Sequence, residues 1–110
     1  KKTLILKKVI KNLREKVRLF KKLEQRTALR ILFYLKTIDE PAHLSKIMKG
    51  IKVKDARVVG RGIANLVELN LIIDHGWNLK GQGSKRLIEL TSKGKKVAQK
   101  IEDIHQILLE

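Results

Sequence analysis

The stretch Asp55-Ala56-Arg57-Val58-Val59-Gly60-Arg61-Gly62-Ile63-Ala64-Asn65-Leu66-Val67-Glu68-Leu69-Asn70-Leu71-Ile72 decides how the chain is read. Val59, Ile63 and Leu66 fall on one stripe of a helix over residues 55–70. Asp55 is a fitting N-cap, and Asn70 suits the left-handed residue that closes a helix. The opposite stripe carries Lys54, Arg57, Arg61 and Ala64, with Asn65 at its side. That face is basic, and small at Gly60 and Ala64. In the DNA major groove Arg pairs bidentately with guanine and Asn with adenine. Arg57 and Arg61 are therefore the candidate base readers, and Lys52 and Lys54 at the helix start are candidate phosphate contacts. Gly60 and Gly62 each cost about 1 kcal/mol relative to Ala in a helix interior. Either the helix starts late or tertiary packing holds it, or the backbone approaches something closely: Gly60 a DNA strand, Gly62 a neighbouring helix.

Downstream, residues 72–79 and 85–90 read as two strands of a hairpin, joined by Lys80-Gly81-Gln82-Gly83-Ser84. Lys80, Gln82, Ser84, Lys85 and Arg86 make its tip basic and polar, fit to lie along a phosphate strand or to place a cation in the minor groove. The Gly81–Lys85 run lacks P-loop spacing and precedes a strand rather than a helix, which speaks against a nucleotide site. Trp77, the only tryptophan, buttresses the hairpin more readily than it stacks on a base. Thr91 or Ser92 can cap a last helix over 92–109, with Val97, Ile101, Ile104 and Leu108 as its seam.

Upstream, Pro41 is comfortable in a first helical turn and predicts a short helix over 42–48, with Leu44, Ile47 and Met48 inward and Ser45 and Lys46 outward as further phosphate contacts. Gly50 then allows a turn, and Ile51 or Val53 returns to the core. Residues 27–37 are apolar around most of their girth (Ala28, Leu29, Leu32, Phe33, Leu35), the pattern of a central helix. Residues 3–23 read as a long amphipathic helix with Leu6, Ile10, Leu13, Val17 and Phe20 on one seam and Lys7, Lys8, Lys11, Arg14, Arg18, Lys21 and Lys22 around it.

The order helix, helix, helix, helix, strand, strand, helix is mainly α with a small β-hairpin: a winged helix-turn-helix with long N- and C-terminal helices. One domain over 1–110 is expected, with a basic helix at 1–25, a winged-helix core at 26–91 and a last helix at 92–110. The seams Leu6, Ile10, Leu13, Val17, Phe20 and Ile101, Ile104, Leu108 exceed what a small core absorbs and imply a homodimer interface.

Charge supports the same reading. Twenty-six Lys and Arg against eleven Asp and Glu give a formal +15, and residues 1–30 alone hold twelve basic and two acidic side chains. Such a field favours a polyanion. Aromatic residues are 4% of the chain and none interleaves the basic stripes, which disfavours single-strand binding by base stacking. There is no cysteine, which excludes disulfides, thiolate zinc sites and thiol catalysis. His43, His75 and His105 lack metal-ligand spacing and read as surface residues. No paired acid or nucleophile-base set stands out, so no enzyme and no cofactor are expected. No membrane span or signal peptide is visible, and a cytoplasmic, nucleoid-associated protein is the expectation.

Val59-Gly60-Arg61-Gly62-Ile63, then Leu66-Val67-Glu68 and Leu71-Ile72, followed by Leu90-Thr91-Ser92-Lys93-Gly94, resemble winged-helix DNA-binding proteins of the MarR and PadR type across about residues 26–96, with an archaeal source expected. The Leu-Thr-x-x-Gly step resembles the exit from the wing in that superfamily. The segment between Gly50 and Val59 is a few residues longer than the resemblance implies. It implies a dimeric binder of double-stranded DNA, either a transcription regulator reading an inverted repeat or a centromere-binding partition or chromatin-like protein that spreads, with further dimers along the DNA.

Overall fold

A computed structural model describes residues 2–76 and 86–110. Its elements are α1 (Lys2–Leu23), α2 (Ala28–Ile38), β1 (Ala42–His43), α3 (Leu44–Ile51), α4 (Ala56–Glu68), β2 (Ile72–Asp74), β3 (Leu87–Leu90) and α5 (Ser92–Leu108). The three strands form one antiparallel sheet in the order β1-β3-β2. This is a winged helix with a long helix on each side.

The core gathers around α2, as its all-round apolar character predicts. Ile31, Leu32 and Leu35 of α2 meet Ile47 of α3, Val59, Ile63 and Leu66 of α4, and Ile88 of β3, all essentially out of solvent. Ala98 brings the first half of α5 onto the same cluster. The expected stripe of α4 is thus the buried one.

Two local predictions are corrected. Residues 42 and 43 do not begin a helix. Ala42 pairs with Ile88 and His43 with Leu87, so Pro41 leads into a short strand and α3 starts at Leu44. Buried Ala42 needs partners for its backbone polar groups, and β3 supplies them. Gly50 is not the turn either. It lies inside α3, where the Tyr34 ring occupies the space of a Cβ. The turn falls at Lys52, which adopts φ 58°. Lys52 N donates to Lys49 O (3.3 Å) and Val53 N to Met48 O (3.1 Å), a Schellman closure with Lys where glycine is usual. The predicted strand over 72–79 is observed as Ile72–Asp74, its remainder running into residues outside the described ones.

The α1–α2 corner is held by buried polar groups. Gln25 Oε1 accepts from the backbone N–H groups of Thr27 (2.9 Å) and Ala28 (3.1 Å), satisfying donors left over at the start of α2. Gln25 Nε2 donates to Val58 O (3.3 Å). The fully buried Thr27 hydroxyl lies 3.1 Å from the same carbonyl and 3.0 Å from Gln25 Oε1, able to donate to either. Gly62, one turn on, faces this corner: a Cβ there would sit 2.3 Å from Thr27 Oγ1 and 3.1 Å from Ile31 Cδ1. The close approach to a neighbouring helix is therefore the reason α4 carries Gly62.

The far end of α4 closes in the same manner as α3. Leu71 N donates to Leu66 O and Asn70 N to Val67 O, with Asn70 at φ 60° as its residue type predicts. The Leu-Thr-x-x-Gly step then has a physical content. Thr91 Oγ1 donates to Asn70 O (2.7 Å) and accepts from Gly94 N (2.9 Å), capping α5. A Cβ at Gly94 would lie 2.0 Å from the Leu71 carbonyl oxygen. Among the described residues no helix is long and apolar enough to cross a membrane.

Gly60 has open space where a Cβ would stand. Gly60→Ala is therefore expected to stabilise the fold by about 1 kcal/mol through helix propensity. Gly62→Ala, two residues away, is expected to destabilise it by about 1–3 kcal/mol through overpacking against Thr27. Urea unfolding of the two variants checks the opposite signs.

Candidate nucleic-acid interface

Everything basic on the outer side of α3, its closing turn and α4 is open to solvent. Arg57, Arg61 and Ala64 are exposed on α4, opposite Val59, Ile63 and Leu66; Gly60 is half-buried beside them. Asp55 accepts from Arg57 N (2.9 Å), so the predicted N-cap fixes where α4 begins. Among the described residues no ion pair engages the guanidinium of Arg57 or Arg61. Ser45, Lys46, Lys52 and Lys54 are exposed too, and Lys46 makes a surface ion pair with Glu40 (3.2 Å).

Ser45, Met48, Lys49, Lys52, Val53 and Lys54 line one shallow concavity between α3 and the turn. Lys49 is the cation that the sequence reading passes over: with the helix ended at residue 48 and a turn placed at Gly50 it has no role, yet it sits on the last turn of α3 beside the predicted Lys52 and Lys54. A helix extended by one turn past Met48 would have exposed it.

Two predicted contacts sit elsewhere. Asn65 is turned to the side of α4 that meets α1, where its Nδ2 donates to Lys22 O (3.3 Å). Its place is the α1–α4 contact, reinforced by an ion pair of Lys22 with Glu68, and not the outer stripe. Arg86 stands at the root of the hairpin, where its Nε donates to Asp74 Oδ2 (2.8 Å) and its guanidinium makes an ion pair with that carboxylate. It ties β2 to the segment before β3 rather than reaching outward. Lys80, Gln82, Ser84, Lys85 and Trp77 lie outside the described residues.

Backbone pairing holds the hairpin root. Ile72, Ile73 and Asp74 pair with Leu90, Glu89 and Ile88, and His75 N donates to Leu87 O (2.9 Å). His75 is exposed and its Nε2 lies 3.0 Å from Glu89 Oε1. Leu44 N donates to Arg86 O (2.8 Å), so α3 starts directly beside this root. Burial by itself would raise the Asp74 carboxyl, but the Arg86 hydrogen bond, the Gly76 N–H (2.8 Å) and the charges of Arg86 and His75 outweigh it and hold the group below the ordinary aspartate value.

The apolar seams assigned to self-association are uncovered. Leu6, Ile10, Leu13, Val17 and Phe20 are all exposed, Val17 at 62%, and so are Ile104 and Leu108. Ile101 differs: it packs partly against the core. An apolar trough runs between the end of α1 and α5, lined by Leu19, Phe20, Leu69, Val97, Ile101 and Ile104.

Among solved structures the chain is similar to the transcriptional repressor BigR from Xylella fastidiosa, at 15% identity over 94% of this chain and 96% of that one, TM-score 0.62. It is similar to a MarR family regulator from Neisseria meningitidis, at 16% identity over 94% and 71% of the two chains, TM-score 0.55. It is also similar to reduced AbfR bound to DNA, at 16% identity over 99% and 98%, TM-score 0.55. No family model and no curated protein sequence matches the chain. At these identities the likeness is one of fold, and it agrees with the MarR-type winged helix that the sequence resembles.

Two measurements test this geometry. A left-handed Lys costs roughly 1 kcal/mol, so Lys52→Gly is expected to raise the melting temperature; if Lys52 holds a phosphate, the same variant binds duplex DNA more weakly, with the log-log salt slope reduced by about 1. For Asp74, a folded pKa below the unfolded one contributes stability that is present above the ordinary value of about 3.9 and lost as pH falls through the folded value. Asp74→Asn is therefore expected to melt lower than wild type at neutral pH and to lose less stability below about pH 4, read from melting curves over an acid series.

Proposed function

We propose that this chain is a dimeric double-stranded DNA-binding protein, a sequence-specific transcription regulator working in the cytoplasm. The observation that carries the reading is the exposed stripe of Arg57 and Arg61 on α4, with Lys49, Lys52 and Lys54 gathered at its N-terminal end. The major groove admits one α-helix, and guanidinium groups four residues apart on its outer side reach base edges while the lysines hold phosphates. Reduced AbfR, of the same fold, has been solved bound to DNA. In the chain proposed here α4 is the recognition helix, Ser45, Lys46, Lys52 and Lys54 position it, and the hairpin carrying Lys80, Gln82, Ser84 and Lys85 lies on the flanking backbone.

The uncovered seams of α1 and α5 support a homodimer. Two-fold symmetry would set two α4 helices about 34 Å apart, on successive major-groove turns, and so select an inverted repeat. The second reading, a centromere-binding or architectural protein that spreads along DNA, is favoured by the charge of residues 1–30, which one operator does not require.

Footprinting over a concentration series decides between them. A regulator protects one short palindrome and stops; a spreading protein extends its protection as concentration rises. Arg61→Ala and Arg57→Ala are each expected to weaken specific binding by about 1–3 kcal/mol and to relax preference at one position. Wild-type affinity in both variants would remove α4 from the role of reader.

A further inference from the structure

The basic stripe that flanks the apolar seam of α1 has no part in the α4 reading above. Along this helix Lys7, Lys11, Arg14 and Arg18 follow one another at intervals of four, three and four residues, so they form a single stripe. Each of the four directly follows a residue of the apolar seam (Leu6, Ile10, Leu13 and Val17), about 100° round the helix, so stripe and seam are neighbouring flanks, and Arg14 and Arg18 line one concavity with Ile10, Leu13 and Val17. All four cations are exposed, and among the described residues none of them is in an ion pair. At 1.5 Å per residue the stripe is about 16 Å long. Duplex DNA carries one charge per about 1.7 Å of axis, so it can oppose a phosphate to each cation over that length.

This stripe is separate from the α3–α4 surface. α1 spans 22 residues, about 33 Å, and every one of its residues up to Lys21 is exposed. Its attachment is through its last turn, by Lys22 to Glu68 and to Asn65. Those two residues lie on the last turns of α4, whereas Arg57 and the lysines around it lie at the first. The helix therefore joins the body at the end of α4 remote from the predicted base readers. A partner copy on the seam would leave the cationic stripe along the margin of that contact, about a quarter-turn round the helix.

We infer that the Lys7–Lys11–Arg14–Arg18 stripe is a second binding face for duplex DNA, so that one molecule bound through α4 holds a second duplex through α1. This rests on the α4 reading and extends it: the chain bridges DNA segments. The stripe reads no sequence, since phosphate contacts carry none.

The test uses the full chain, a bead-bound mixed-sequence duplex and a fluorescent duplex of the same kind, at low salt. Wild type is expected to occupy the bead duplex and capture the fluorescent one. The variant Lys7→Gln/Lys11→Gln/Arg14→Gln/Arg18→Gln keeps helix propensity. It is expected to occupy the bead duplex within about threefold of wild type and to capture about tenfold less, since up to four phosphate contacts are removed. Capture by the variant equal to wild type overturns the inference, as does a parallel fall in both readouts, which would merge the stripe with the α4 site. Wild type that occupies the beads but captures nothing overturns bridging alone. Wild type that does not occupy them overturns the α4 reading and bridging with it. Phosphatidylserine vesicles form the last arm: vesicle binding lost in the variant, without duplex capture by wild type, assigns the stripe to a membrane surface and overturns it. Sedimentation velocity of both proteins confirms equal oligomeric states, so that loss of capture is not loss of a dimer.

Discussion

The carbonyl of Val58 and the missing side chain at Gly62 hold the interface in place. Gln25 and Thr27 reach into the flank of α4 at one point, and they do so from the corner that turns α1 into α2. A buried polar group left without a partner costs about 1–3 kcal/mol, so this cluster has one good arrangement and few near alternatives. It sets the rotation of α4 about its own axis. With Val58 O and Gly62 turned to the corner, Val59, Ile63 and Leu66 face α2 and the core, and Arg57 and Arg61 are left outside. The outward direction of two guanidinium groups thus follows from an amide, a hydroxyl and a glycine that touch neither of them.

Three left-handed residues then fix the order of the pieces. Asp39, Lys52 and Asn70 end α2, α3 and α4 at φ between 52° and 60°. Each reverses the chain within a few residues and lets short helices pack on one core without long loops. Asp and Asn tolerate this conformation. Lys52 does so less readily, and backbone strain persists where the surroundings hold it and a side chain is worth keeping. Its neighbours at that turn are cations, which links the cost in the backbone to the charge of the surface.

How legible this was in the sequence varied with the range of the interactions. The stripe of α4, its Asp55 cap, its Asn70 terminus and the central place of α2 depend on residues near one another in the chain, and local periodicity reports them. The strand at Ala42–His43 depends on residues more than forty positions away, and Pro41 by itself points equally well to a helix start. The site divides along the same line. Arg57, Arg61 and Lys54 follow from the helix stripe. Asn65 lies only a small rotation from that stripe, and what takes it out is the end of α1, which periodicity within α4 does not record. Arg86 belongs to the hairpin in sequence, yet Asp74, twelve residues earlier, binds it at the root. Lys49 is hidden when Gly50 is read as a turn, because the glycine serves instead to admit Tyr34.

α1 is the element whose existence asks most of its surroundings. A helix that buries none of its residues gains its stability from propensity and from neighbours along its own surface, and most helical stability in proteins comes instead from packing an amphipathic face. Lys7 with Lys11 and Arg14 with Arg18 are like charges one turn apart, each such pair costing about 0.2–0.5 kcal/mol. Glu15 is the one acid within its length, too little to offset its nine cations after Lys1. Two different companions would relieve these two burdens: an apolar surface for the seam and a polyanion for the stripe. The stripe flanks the seam about 100° round the helix, so a companion on one lies beside a companion on the other. Covering the seam with a second positively charged copy raises the repulsion that phosphates then relieve. Self-association and DNA binding through this helix would therefore be linked in sign, each making the other more favourable.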